Sequence, residues 1–174
     1  MKVLHLGCGR KGRNIGDPGD DVVSLDAEAH LKPDLVCTLG RDPIPLESDS
    51  IDQAIAVHVL EHIGRQGETK DWFFFWEELY RVLKPDGELH FVSPMWNAVW
   101  AWADPQHVRA LAPQSFIFFD QDSYRVEDNP ISPYKIHCDF KIAEGFHAIP
   151  GQSGPQESFA GVLKAQKPLN PWWE

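Results

Sequence analysis

The chain has 174 residues, with 16 basic against 26 acidic side chains and a formal net charge of −10. That length fits a single domain over residues 1–174, and the acidic balance argues against a protein that tracks nucleic-acid phosphates, so no nucleic-acid partner is expected. No segment reaches the ~18–20 apolar residues of a bilayer-crossing helix, and three cysteines, Cys8, Cys37 and Cys138, are too few for a disulfide framework. A cytoplasmic protein without a membrane partner is expected.

Lys2 to Leu6 is apolar-rich and runs into Gly7-Cys8-Gly9, which reads as a first strand entering a tight turn. Because this strand begins at once, the usual helices before the first sheet element are expected to be lacking. Glycines and Pro18 between residues 10 and 20 speak against a long helix there. Val22 to Leu25, ending at Asp26, reads as a second strand, Leu35 to Leu39 as a third, and the apolar run Ile51 to Val59 as a buried fourth. The three- and four-residue spacing of Trp72, Trp76, Leu79 and Leu83, with Phe75 and Val82 beside them, predicts a helix over Lys70 to Lys84, stopped by Pro85-Asp86-Gly87. Five consecutive aromatics, Trp72 to Trp76, cannot all face inward on it, so part of the run is a candidate for self-association into a homodimer. Glu88 to Val92 reads as a fifth strand, Met95 to Asp122 as a loop with a helical portion, and Lys135 to Phe146 and Ser158 to Ala165 as two last strands.

Gly7 and Gly9 at the end of a first strand let the backbone turn sharply and let a ligand lie against bare peptide, Gly7 being the position where a side chain would intrude. Asp26, nineteen positions after Gly7, ends the second strand where a carboxylate can accept ribose hydroxyls. Gly12 is followed by no credible helix, which suits a nucleoside cofactor without phosphates better than a pyrophosphate.

Five motifs in order, Leu4 to Gly9, Asp26, Asp49 to Ala54, His58-Val59-Leu60-Glu61-His62-Ile63 and Glu78 to Gly87, resemble the class I S-adenosylmethionine-dependent methyltransferases, in their small "type 11" branch. Asp104-Pro105-Gln106-His107 and Gln114-Ser115-Phe116 are similar to that branch too, whereas Thr38 stands where the family often carries Asp before Leu. The resemblance implies an α/β, Rossmann-like, mostly parallel seven-stranded sheet with an antiparallel edge strand, and S-adenosylmethionine over the carboxyl ends of the strands. Carried over by position, Gly7, Cys8 and Gly9 would lie along the methionine and ribose, Asp26 would hold the ribose, Thr38 and Leu39 would border the adenine, and His58 would stand near the methionine end. The activity implied is methyl transfer to a small-molecule acceptor such as a sugar or lipid-linked precursor. A non-catalytic cofactor-binding or interaction module is the alternative.

A methyl acceptor that must lose a proton needs a base, and His107, beyond the fifth strand with Asp104 to orient it, is the first candidate from sequence. Trp96, Trp100 and Trp102 either wall the methyl site or pack beneath the loop. His58-x-x-Glu61-His62 also matches the inverted zinc-peptidase signature. The apolar strand before His58 argues against the helix that a zinc hydrolase would need, and no metal site is expected. Asn129 to Tyr134, superficially like the Asn/Asp-Pro-Pro-Tyr element of amino-methylating enzymes, reads as a proline-rich loop.

Overall fold

The computed structural model describes residues 1–10, 15–124, 134–151 and 154–171. Gly12 and Asn129 to Pro133 lie outside these. Seven strands form one sheet: β1 (Lys2–Leu6), β2 (Asp21–Asp26), β3 (Leu35–Val36), β4 (Ile51–Val57), β5 (Leu83–Pro94), β6 (Phe140–Gly151) and β7 (Gly154–Ala165). Their order is β3-β2-β1-β4-β5-β7-β6. β1 pairs in parallel with β2 and β4, and β3 and β5 extend the parallel set on either side. The antiparallel strand is β7, inserted between β5 and the edge strand β6. The strand order reverses at β1, whose two neighbours are β2 and β4. A ligand crevice opens at that point, beyond the carboxyl ends of the strands.

β1 is covered on both faces, which its apolar-rich sequence permits: Val3, Leu4 and Leu6 have no exposed surface and His5 is buried between them. The expected third and fourth strands are shorter than their apolar runs. β3 keeps two residues, since the Cys37 amide bonds the Asp26 carbonyl before the chain turns at Thr38 to Asp42. β4 stops at Val57, because His58 takes a left-handed conformation (φ +55°) that no strand continues through.

Helix α1 (Lys70–Val82) buries Trp72, Phe75, Trp76, Leu79, Tyr80 and Val82, the face expected from spacing. It ends two residues early, because Leu83 is already extended and pairs with Ile51. Pro85-Asp86-Gly87 is therefore an irregularity within β5, with Asp86 at φ +61°, rather than a turn after the helix. Beyond β5 come short helices α2 (Trp100–Ala103) and α3 (Gln121–Tyr124), flanking a 3-10 segment, Pro113–Phe119. That segment drives Phe116 and Phe119 into the core, where Phe119 stacks on Trp76 with ring centroids 4.4 Å apart. Phe73, off the buried face of α1, is covered by Phe119 and Tyr134.

Trp96, Trp100 and Trp102 do not pack in the core, and none of them lines the cavity at the strand ends. They are 53%, 53% and 69% exposed, because α2 is too short to bury more than Ala101. The last two strands are displaced from expectation: β6 begins at Phe140 rather than Lys135 and reaches Gly151, and β7 starts at Gly154.

Glu78 and Arg81 clamp the loop before β4. Arg81 binds Glu78 through Nε and Nη2 and donates to the carbonyls of Leu46 and Ile44, while Glu78 accepts the Ile44 amide. The hydrogen bonds from Arg81, then that from Ile44, hold the Glu78 carboxyl below its ordinary value of 4.5. Arg81→Ala is expected to cost about 2 kcal/mol in denaturant unfolding, allowing for the part-exposed guanidinium. Since the folded pKa of Glu78 is depressed, this stabilisation is complete above its unfolded pKa. It should fade in the parent protein as acid carries the pH down through the folded value, whereas Arg81→Ala should show a smaller loss over that window.

Candidate active site

A cavity of about 460 Å³ opens beyond the carboxyl ends of β1, β2, β3 and β4, lined by Gly7, Gly9, Asp26, Thr38, Leu39 and His58 among others. Six of the seven cofactor residues expected from sequence thus meet in one place. Cys8 does not line the cavity: it is buried, its amide on the Leu25 carbonyl and its thiol against the Gly9 carbonyl. Burial pushes the Cys8 thiol up and the Cys37 thiol up to about 11, so neither is a ready nucleophile.

The two glycines have different reasons to be glycine. Both take positive φ, +55° and +58°. A Cβ on Gly7 would stand 2.5 Å from Val59 Cγ2, so the fold itself demands a glycine at this position, which also lines the cavity. A Cβ on Gly9 would meet nothing within 4 Å, and Gly9 lines the cavity, so its bare backbone keeps space open. Asp26 accepts the Gly9 amide through Oδ2 (2.8 Å) and the Glu28 amide through Oδ1 (2.9 Å). One backbone donor on each oxygen fixes the carboxylate and leaves lone pairs for a diol. A nucleoside fits this cradle.

At the other edge, His58 and Glu61 form a pair. His58 Nδ1 lies 3.2 Å from Glu61 Oε1, and Ser93 Oγ donates to Glu61 Oε2 at 3.1 Å. Glu61 is almost wholly buried, whereas the His58 side chain is 47% exposed. With its Nδ1 proton on the carboxylate, His58 keeps a lone pair on Nε2. The predicted zinc-peptidase alternative fails here: only a short 3-10 turn, Leu60–His62, follows the left-handed His58, so the two histidines do not share a helical face.

The segment after α2 returns over this edge. Val108 and Arg109 amides bond the Glu61 carbonyl, Gln106 carbonyl meets His62 Nδ1 at 3.1 Å, and the Arg109 guanidinium reaches the Ile63, Arg65 and Glu68 carbonyls while stacking on Trp72. Gln106 and His62 thereby join the cavity lining. Sequence reasoning did not assign either to it. His107 does not line it: its side chain is 8% exposed, with Nε2 3.8 Å from Asp104 Oδ2 and 3.9 Å from Glu61 Oε1. Buried Glu61 went unassigned because its partners lie on three separate segments.

A strand-order reversal, a glycine turn facing a fixed carboxylate and a cavity beyond the strand ends define a nucleoside-type site of an open α/β fold. The family model described as a methyltransferase domain matches residues 4–91, half of the chain, and the chain belongs to this family of S-adenosylmethionine-dependent methyltransferases. No curated protein matches it. Among solved structures it is similar to an S-adenosylmethionine-dependent methyltransferase of Methanosarcina mazei, at 15% identity over 95% of this chain and 92% of that one, with a TM-score of 0.60. It is also similar to the N-methyltransferase NodS of Bradyrhizobium japonicum in complex with S-adenosylhomocysteine, at 13% identity over 94% and 77%, with a TM-score of 0.61. A third is the Burkholderia thailandensis 1,6-didemethyltoxoflavin-N1-methyltransferase with bound 1,6-didemethyltoxoflavin and S-adenosylhomocysteine, at 14% over 95% and 71%, with a TM-score of 0.58.

The glycines and Asp26 separate stability from binding. Gly7→Ala should lose at least about 2 kcal/mol of stability, from left-handed strain and the Val59 collision. Asp26→Ala should keep its melting transition within a few degrees yet bind S-adenosylmethionine at least about tenfold more weakly by calorimetry. Unchanged affinity in the folded variant would remove Asp26 from the cofactor site.

Proposed function

We propose that the chain transfers the methyl group of S-adenosylmethionine to a hydroxyl or amine of a small-molecule acceptor, with His58 receiving the acceptor's proton. The observation that carries this reading is the His58–Glu61 pair on the rim of the cavity bounded by Gly9 and Asp26. Bound in that cavity, the cofactor supplies an electrophilic methyl group whose bonding pair returns to sulfur as the acceptor's lone pair takes the carbon.

The chain's own work is then to hold and to deprotonate. Asp26 holds the ribose and the Gly9 backbone leaves room for the nucleoside. Thr38 and Leu39 border the base, and Cys37, buried beneath them, packs the floor. The Glu61 carboxylate fixes the His58 tautomer and stabilises the imidazolium that forms when Nε2 takes the proton. This assigns the base to His58 in preference to His107, because His58 lines the cavity and His107 is enclosed beside it. The net charge of −10 supports a small-molecule acceptor over a nucleic acid.

The test begins with labelled cofactor and a panel of sugars, amines and small hydroxy acids. On an acceptor so found, His58→Ala should lower kcat roughly 100-fold while S-adenosylmethionine affinity stays within about fivefold. Full turnover by His58→Ala would end the assignment.

A further inference from the structure

The methyl-transfer reading leaves His107 unexplained. Its Nδ1 is buried and has no hydrogen-bond partner. Its Nε2 faces the Asp104 and Glu61 carboxylates at 3.8 and 3.9 Å, too far to donate to either. Nε2 thus stands between two carboxylates and bonds neither, which leaves a place for a group between them; the unpartnered Nδ1 is a separate cost of enclosing the ring.

The surrounding groups indicate what stands there. Glu61, His62 and His107 each present one ligating atom, and the three atoms lie within 4.8 Å of one another. Two donors at about 2.1 Å from a common ion, about 109° apart, stand about 3.4 Å from each other. The gaps of 3.8 and 3.9 Å are too long for a hydrogen bond, and the 4.8 Å span of the three ligating atoms is wider than that of donors on one ion, so the side chains close by as much as about 1.4 Å when an ion binds. The supporting contacts are those that orient metal ligands. The Gln106 carbonyl, 3.1 Å from His62 Nδ1, holds that ring in the tautomer that keeps a lone pair on Nε2. Ser93 Oγ occupies the other oxygen of Glu61, and the His62 and His107 rings meet edge to face at 4.8 Å. The backbone is fixed as well, because the Val108 and Arg109 amides bind the Glu61 carbonyl and lock the return segment to the turn that carries Glu61 and His62.

We propose that Glu61, His62 and His107 form a binding site for a divalent first-row transition ion, with Asp104 at hand as a further oxygen ligand. Two imidazoles and a carboxylate suit zinc, cobalt, manganese or iron(II) better than magnesium or calcium, which favour all-oxygen shells. Resting on the methyl-transfer reading, the site also narrows the acceptor. It shares Glu61 with His58, so an ion there stands next to the proposed base and favours an acceptor that binds through oxygen. A hydroxyl coordinated to such an ion is more acidic, and His58 Nε2 takes its proton as the O–CH3 bond forms and the S–CH3 bond breaks.

The full-length chain, stripped with chelator and dialysed, is titrated with Zn2+ by calorimetry and with Co2+ by visible absorbance, with Mg2+ as a third arm. The expected result is one equivalent of Zn2+ or Co2+, with d–d bands of a low-coordinate Co2+ site, and binding at least tenfold weaker in His107→Ala and His62→Ala. His62 is exposed, so His62→Ala keeps the test open even where removing enclosed His107 disturbs the fold. No saturable binding, affinity unchanged in both variants, or a preference for Mg2+ over Zn2+ would overturn the site. S-adenosylmethionine affinity is measured on the same samples. Intact cofactor binding without metal binding overturns only the ion, and metal binding without cofactor binding overturns the methyl-transfer reading alone.

Discussion

The buried carboxylate of Glu61 is the constraint on which the cavity's rim depends. Withdrawing a charge from water is expensive unless every lone pair is answered. Here His58 after β4 and Ser93 in β5 answer the carboxylate, and the backbone carbonyl of the same residue accepts the Val108 and Arg109 amides of the returning loop. The β4 terminus, the neighbouring strand and the loop are therefore set relative to one another by one residue. His58 accepts a left-handed backbone in consequence, and a non-glycine residue holds such a conformation only where its surroundings insist on it. The strain turns the chain sharply out of the sheet, so that the side chain stands at the cavity and the strand ends there.

Behind this rim the core solves a different problem. Among the described residues α1 is the one long helix, so one face of the sheet has little helical cover. Aromatic side chains supply much of what extra helices would otherwise bury. Trp76 has no exposed surface and touches Trp72, Phe75, Phe116, Phe119 and Phe140. Each such ring removes far more apolar area from water than an aliphatic side chain does, so a short 3-10 segment carrying two phenylalanines can stand in for a longer helix. The same segment ties β5 to β6 and β7, since Phe116 also meets Phe91, Phe146 and Phe159. The antiparallel half of the sheet and the cofactor half thus share one packing layer.

What was legible in the sequence were the features set by near neighbours. β1 agrees residue for residue, because its apolar run and its glycine stop are local. The inward face of α1 follows from spacing, Gly9 and Asp26 stand at strand ends that a glycine turn and an acidic stop mark, and Thr38, Leu39 and His58 came from the family resemblance; all five line the cavity. What was not legible depends on distant partners. The early end of α1 is decided by Leu83 pairing with Ile51, thirty-two positions earlier. At Gly7 a ligand was the reason read for a bare backbone, and the Val59 side chain that also excludes a Cβ there comes from beyond β4. The exposed tryptophans of the loop were taken for a wall or a core, and nothing local says that a helix of four residues turns them outward. Glu61 looked like one letter of a motif, and its weight appears only when Ser93 and the loop close around it.

The charges around the cavity bear on turnover as well as on binding. S-adenosylmethionine carries a positive sulfonium and its product does not. Asp26 and Glu28 line the cavity, and Glu61 lies just behind its rim. In a partly enclosed space of reduced dielectric, carboxylates favour the cationic cofactor over the product that has lost that charge. On the proposed reading this preference is a difference between two ligands of nearly the same shape, and it would ease release of the product without a change in the pocket. It also explains why an acidic chain suits this chemistry, where the same charge would hinder a phosphate-bearing nucleotide. A divalent ion beside Glu61 would offset part of that field at the rim and leave it intact at Asp26, separating the acceptor's end of the cavity electrostatically from the end that holds the nucleoside.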